Sequence, residues 1–81
     1  MSKYAPLGVY LSDQRVDRVS LSFDEVADII GDVLPASAYK YGAWWANETN
    51  RTHVEAHAWM KAGWKVESFS LIEERVTFVR G

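Results

Sequence analysis

The chain changes its hydrophobic period between Val19 and Glu25, and that switch restricts its fold more than any other feature of the sequence. Val19, Leu21 and Phe23 alternate with Ser20 and Ser22, so the apolar side chains share one face of a half-buried strand. Ser22 and Glu25 then stand three apart, the spacing at which a serine side chain accepts from the N3 amide while a glutamate reaches back to the serine amide. The strand therefore runs straight into a helix. Val26, Ile29 and Ile30 form the buried stripe of that helix, Asp24, Glu25 and Asp28 face water near its positive end, and Gly31 ends it.

The remaining elements follow from similar signals. Pro6 suits a first helical turn, and Leu7, Tyr10 and Leu11 at i, i+3 and i+4 describe a short first helix. Leu34 to Tyr41 reads as a third helix, with Pro35 near its start and Gly42 near its end. Ala43-Trp44-Trp45-Ala46 is ambiguous by periodicity, and Asn47 to Arg51 is rich in turn formers, which gives a loop or a frayed helix end. Thr52 and Glu55 repeat the capping-box spacing, Val54 and Ala58 follow at helical intervals, and Gly63 closes a fourth helix over Thr52 to Ala62. Val66 to Ile72 and Val76 to Arg80 are β-rich and separated by Glu73-Glu74-Arg75, so they are expected to pair as a terminal hairpin.

The expected fold class is α+β and winged helix-turn-helix-like, in the order α-β-α-α-α-β-β with a C-terminal β-hairpin, and residues 1–81 form a single winged-helix-like domain. The helix at Thr52 to Ala62 departs from a plain winged helix. An α+β layer, with helices on one side of a three-stranded antiparallel sheet, fits the same elements without implying DNA. Eighty-one residues bury only one core. With no cysteine there is neither a disulfide nor a thiolate metal site to help, so four Trp, four Tyr and three Phe must carry the packing. No apolar run is long enough to cross a bilayer, and the start lacks the apolar core of a signal peptide, so a cytoplasmic location and no membrane partner are expected.

Several residues recur in a distinctive pattern: Leu21-Ser22-Phe23-Asp24-Glu25-Val26, Ile30-Gly31, Leu34-Pro35-Ala36-Ser37-Ala38, Trp44-Trp45-Ala46-Asn47-Glu48, His53, His57, Ala58-Trp59 and Ala62-Gly63-Trp64. In these the chain resembles a family of small bacterial domains of unknown function, found alone or attached to other proteins. The likeness covers nearly the entire sequence, from Tyr4-Ala5-Pro6-Leu7 to Val76-Thr77-Phe78. It brings no activity, substrate or site with it, so function is read from the side chains.

The formal net charge is −2, so attraction to nucleic acid must come from a local patch. From Asp13 to Asp32 the balance is −4, whereas from Val33 to Lys65 it is +2 with both histidines in addition. A phosphate backbone rewards such an excess by counterion release, and Lys40 and Arg51 flank aromatic and amide groups able to touch bases. In the helix-turn-helix reading the third helix is the recognition element, and Ser37, Tyr39 and Lys40 approach base edges or phosphates. An exposed Trp45 beside Asn47 makes a nucleobase reader, because Trp stacks on a base and Asn pairs with adenine. The competing reading packs both indoles inside and has Asn47 cap a turn.

Asn50 and Arg51 extend that segment toward His53, His57 and Lys61, which recur every four residues on one face of the fourth helix. The histidines there contact phosphate or hydrogen-bond into the preceding loop. Their His-Val-Glu-Ala-His order is not that of a zinc protease, and Glu48 is the only obvious third ligand, so neither a metal nor a cofactor is expected. Glu73 and Glu74 at the hairpin tip would repel phosphate where a wing usually places Lys or Arg.

The sequence carries no nucleophile elbow, glycine-rich phosphate loop or paired-metal carboxylate pattern, and no enzyme is expected. The expected function is a DNA-binding module, a small transcriptional regulator contacting duplex DNA through the third helix and the Trp45 to Arg51 segment. A homodimer is expected with it, since one small module seldom binds tightly alone. The alternative is a protein–protein interaction module that docks a partner through exposed aromatics.

Overall fold

The computed structural model describes residues 3–47 and 54–81. Along them run α1 (Ala5–Ser12), β1 (Arg18–Ser22), α2 (Phe23–Ile30), α3 (Ala36–Lys40), a 3-10 turn (Gly42–Trp45), α4 (Val54–Lys61), β2 (Trp64–Ser70) and β3 (Arg75–Arg80). The class is α+β, as the sequence leads one to expect. Among the described residues there are four α-helices and one three-stranded antiparallel sheet that ends in the C-terminal hairpin.

The strand-to-helix switch is built as its spacing requires. Ser22 accepts from the Glu25 amide at 3.0 Å, and the Ser22 amide donates to the Glu25 carboxylate at 2.8 Å. Phe23 is the first residue of α2 rather than the last of β1, yet its ring stays in the core. The hydrogen bonds from Ser22 hold the Glu25 carboxyl below the usual carboxylate range. Ser22→Ala is expected to lower stability by about 1 kcal/mol, read as a lower urea midpoint at unchanged slope. Because the Glu25 value is depressed on folding, its contribution is complete above the unfolded carboxylate range and is lost as pH falls through the folded value. The stability gap between the natural chain and Glu25→Gln should therefore close in acid.

In the sheet the order is β1-β3-β2, so β3 is central and both its neighbours are edges. Val19, Phe78 and Val66 lie in one cross-strand row and Leu21, Val76 and Phe69 in another, all on the face toward the helices. Arg18, Val79 and Lys65 form a row on the opposite face, which leaves Lys65 and Arg18 in solvent. A bulge between Val66 and Ser68 keeps Val66 and Phe69 on the same face of the sheet, Val66 buried and Phe69 partly exposed at its edge. The hairpin begins earlier than expected, at Trp64, and turns at Leu71 to Glu74, with Glu74 in the left-handed region at φ 54°.

An aromatic ladder fills the space between helices and sheet. Tyr39 meets Phe23 edge-on at 5.5 Å, Phe23 stacks on Trp45 at 4.7 Å, Trp45 on Trp59 at 6.2 Å, and Trp59 leans on Phe78 at 5.4 Å. Trp64 is covered by the Arg80 guanidinium, 4.6 Å from its ring. Arg80 also donates to the Gln14 and Val16 carbonyls and to the Asp17 carboxylate, tying the end of β3 to the connection between α1 and β1.

The third helix is shorter than expected. Pro35 is extended at φ −67° and ψ 157°, so the helix starts at Ala36 rather than near Leu34. It stops at Lys40 because Tyr41 is extended as well, at φ −126° and ψ 120°. The 3-10 turn that follows contains both adjacent tryptophans. The capping box expected of Thr52 and Glu55 involves a residue outside those described.

Candidate docking groove

Two eight-residue helices, α1 and α4, pack side by side. Each has one face in the core: Leu7 and Leu11 from α1, Ala56 and Trp59 from α4. Each also turns a second stripe away from it, Ala5, Gly8, Val9, Ser12 and Asp13 on one side and Val54, His57, Ala58, Lys61 and Ala62 on the other. Both stripes follow the i, i+3, i+4, i+7, i+8 spacing of a single helix face. Between them lies an open groove of about 480 Å³.

The groove exists because the two backbones nearly touch. A Cβ on Gly8 would stand 2.5 Å from the Ala58 carbonyl oxygen, so a glycine is needed for the approach rather than for its dihedral freedom. Small side chains at Ala5, Ala58 and Ala62 leave the floor low. The helices run the same way: Gly8 meets Ala58, and just past the two C-terminal ends the Gln14 carbonyl accepts from Arg80 at 2.7 Å and the Gly63 carbonyl from the Gly81 amide at 2.9 Å, so both ends lie at the end of β3. Burial is the main influence on the Tyr4 phenol and raises it, against the Lys3 ammonium, which lowers it. Asp13 and Lys61 are therefore at the same end of the groove, and His57 stands one turn back on α4. Val9 and Val54 are 60% and 51% exposed.

Gly8→Ala tests the approach. Alanine is the better helix former by up to about 1 kcal/mol, but the clash is with backbone, and forced separation of packed elements costs about 1–3 kcal/mol. A net loss in thermal or urea stability is expected. Gly42→Ala should be milder, because its Cβ would meet the ring of Phe69, which is 42% exposed and free to turn aside.

Of the residues singled out in the sequence, His57 and Lys61 lie together on the wall of this groove. Ser37, Tyr39 and Lys40 are on α3, which packs on the 3-10 turn. Tyr39 is half-buried, and its phenol is raised by burial first and then by the carboxylates of Asp24 and Glu74. Its surroundings are thus acidic, contrary to what a phosphate-contacting tyrosine needs. Lys40 is exposed on the last turn of α3, Lys61 is on the groove, and Lys65 is on the outer sheet face. The described cations of the middle third, Lys40, Lys61 and Lys65, sit on three elements with different neighbours. Asn50, Arg51 and His53 lie outside the described residues, as does Glu48.

The expectation that an exposed Trp45 reads a base needs correction. Trp45 is 1% exposed, both of its faces are stacked in the aromatic ladder, and its indole N–H donates to the Ala38 carbonyl at 2.9 Å. No indole face is left for a base. Trp44, half-buried and edge-on to Tyr4 at 5.7 Å, is the member of the pair nearer the surface.

Asn47 is spent too. Its Oδ1 accepts from the Trp59 indole at 2.9 Å and the Val66 amide at 2.8 Å, and its Nδ2 donates to the Val66 carbonyl at 2.9 Å. Nothing in the sequence points to this clamp on the open edge of β2. A bound Asn amide on an edge strand has no local spacing to reveal it. Among the described residues, no three of His, Cys, Asp and Glu come together to hold a metal.

A domain of unknown function, DUF7662, matches residues 4–81. The chain belongs to the DUF7662 family. No curated protein and no solved structure matches it. The match spans all but the first three residues of the chain, so it includes α1, α4 and the groove between them. No helix among its described residues is long and apolar enough to cross a membrane.

Proposed function

We propose that the chain is a non-catalytic docking module whose α1–α4 groove seats an amphipathic helix of a protein partner. The observation that carries this is the open trough itself, about 480 Å³ and floored by small apolar side chains, with Val9 and Val54 standing free in it. Single exposed apolar residues are ordinary, whereas a contiguous apolar depression with a polar rim marks a binding surface. Two helices in contact present ridges between which a third can lie. Lys61 and His57 on the rim favour an acidic side chain beside the partner's apolar stripe. Exposed tryptophans are not the anchors of this surface, since Trp45, Trp59 and Trp64 are all buried.

The reading is tested by fluorescence anisotropy with a labelled amphipathic peptide bearing a Leu stripe and flanking Glu. Saturable binding is expected in the range of about 10 μM to 1 mM, as suits a small interface, with little change as salt rises. Val9→Glu should weaken it at least about tenfold, because the bound peptide would desolvate a carboxylate on the groove wall. Absence of saturation, or equal binding by Val9→Glu, would reject the groove.

A DNA-binding reading as a small regulator draws support from topology. α1 packs on both α2 and α4, the sheet order is β1-β3-β2, and the hairpin follows α4 directly, a layout similar to a winged helix. In that layout α4, with His57 and Lys61, takes the recognition position that the sequence assigned to α3. A labelled duplex in the same assay separates the two, since phosphate-driven binding falls steeply with salt. A cytoplasmic location belongs to the same proposal.

A further inference from the structure

We infer that the groove's occupant is a second copy of this chain, an inference that rests on the docking reading above. The rim is self-complementary. Asp13 and Lys61 stand at the same end of two helices that run the same way, and neither is engaged in an ion pair among the described residues. A two-fold axis lying along the groove lays α1 of one copy over α4 of the other at the same height. Asp13 of each copy then faces Lys61 of the other, and Val9 and Val54 fill the trough from both sides. This is an isologous contact that closes on itself.

No other charge arrangement on the groove is needed. A partner of one sign would leave either Asp13 or Lys61 opposed by a like charge or unmatched, whereas a second copy satisfies both. The length limits the strength. Eight residues span about 12 Å, so the contact lies at the small end of the interface range and the dimer is reversible.

Sedimentation of the full chain between about 10 μM and 1 mM reads the outcome. The weight-average mass should climb from 9.2 kDa toward twice that value. Asp13→Lys and Lys61→Asp, each alone, place like charges opposite one another twice per dimer and should weaken association by about 3- to 30-fold. An equimolar mixture of the two variants restores both opposed pairs and should associate at least as well as the natural chain. That recovery also shows that both variants fold.

A natural chain that stays monomeric throughout, or a mixture that associates no better than either variant alone, overturns the inference. If the monomeric chain still binds the amphipathic peptide in a manner sensitive to Val9→Glu, the groove remains a docking site for another protein. If it binds neither, both readings fall.

Discussion

Trp45→Ala is expected to cost about 3–5 kcal/mol, the range for removing a large buried aromatic, and to leave the chain largely unfolded at 37 °C. The side chain is 1% exposed and joins two halves of the core, stacked on Phe23 at the start of α2 and on Trp59 in α4. Alanine would open a cavity between them that the neighbouring rings cannot close without leaving their own contacts. It would also strand the Ala38 carbonyl, which accepts from the indole N–H at 2.9 Å. A small domain holds roughly 5–15 kcal/mol in all, so the loss takes a large share of it. Trp45→Phe keeps a ring in the stack and should fall between. Urea unfolding followed by circular dichroism decides, and a loss under about 1 kcal/mol for Trp45→Ala would show that the ladder is not the centre of the core.

Asn47→Ala is expected to cost about 2–4 kcal/mol, from the penalty of leaving buried polar groups unmade. One amide serves three partners: the Trp59 indole, which has no exposed surface, and both backbone groups of Val66. Water can replace the amide at the Val66 groups on the sheet edge, so most of the loss comes from the Trp59 indole N–H, whose side chain is otherwise fully buried. Asn47→Asp separates donor from acceptor. The carboxylate still accepts both N–H groups, but its second oxygen faces the Val66 carbonyl, where a donor stood. Asn47→Asp should therefore be destabilised less than Asn47→Ala, since two of the three bonds survive in it. A loss for Asn47→Ala below about 1 kcal/mol would contradict the clamp.

Much of the architecture is legible along the chain because it depends on local spacing. The Ser22–Glu25 box, Gly31 and Gly63 in the left-handed region, and the alternating strands each declare themselves within a few residues. Helix three is cut short by two extended residues, Pro35 and Tyr41, for which a periodic pattern gives no warning beyond the proline itself. The candidate site is less legible. His57 and Lys61 stand out by their spacing on a helix, but the groove also needs Gly8, and its meaning appears only when α4 is placed against it. Trp45 and Asn47 are conspicuous for their chemistry, and folding spends it within the chain, on the core for Trp45 and on the edge of β2 for Asn47. A side chain suited to reading a base is equally suited to satisfying a sheet edge, and only the tertiary contacts distinguish the two.

The proposed binding surface of this domain lies between α1 and α4. Amide chemical-shift mapping locates it, with the amphipathic peptide and a duplex DNA added in turn to the labelled chain. The peptide is expected to shift Ala5, Val9, Val54, His57 and Lys61 and to leave Ser37, Tyr39 and Lys40 in place. Shifts confined to α3, or any strong response to DNA that spares the groove, would contradict it.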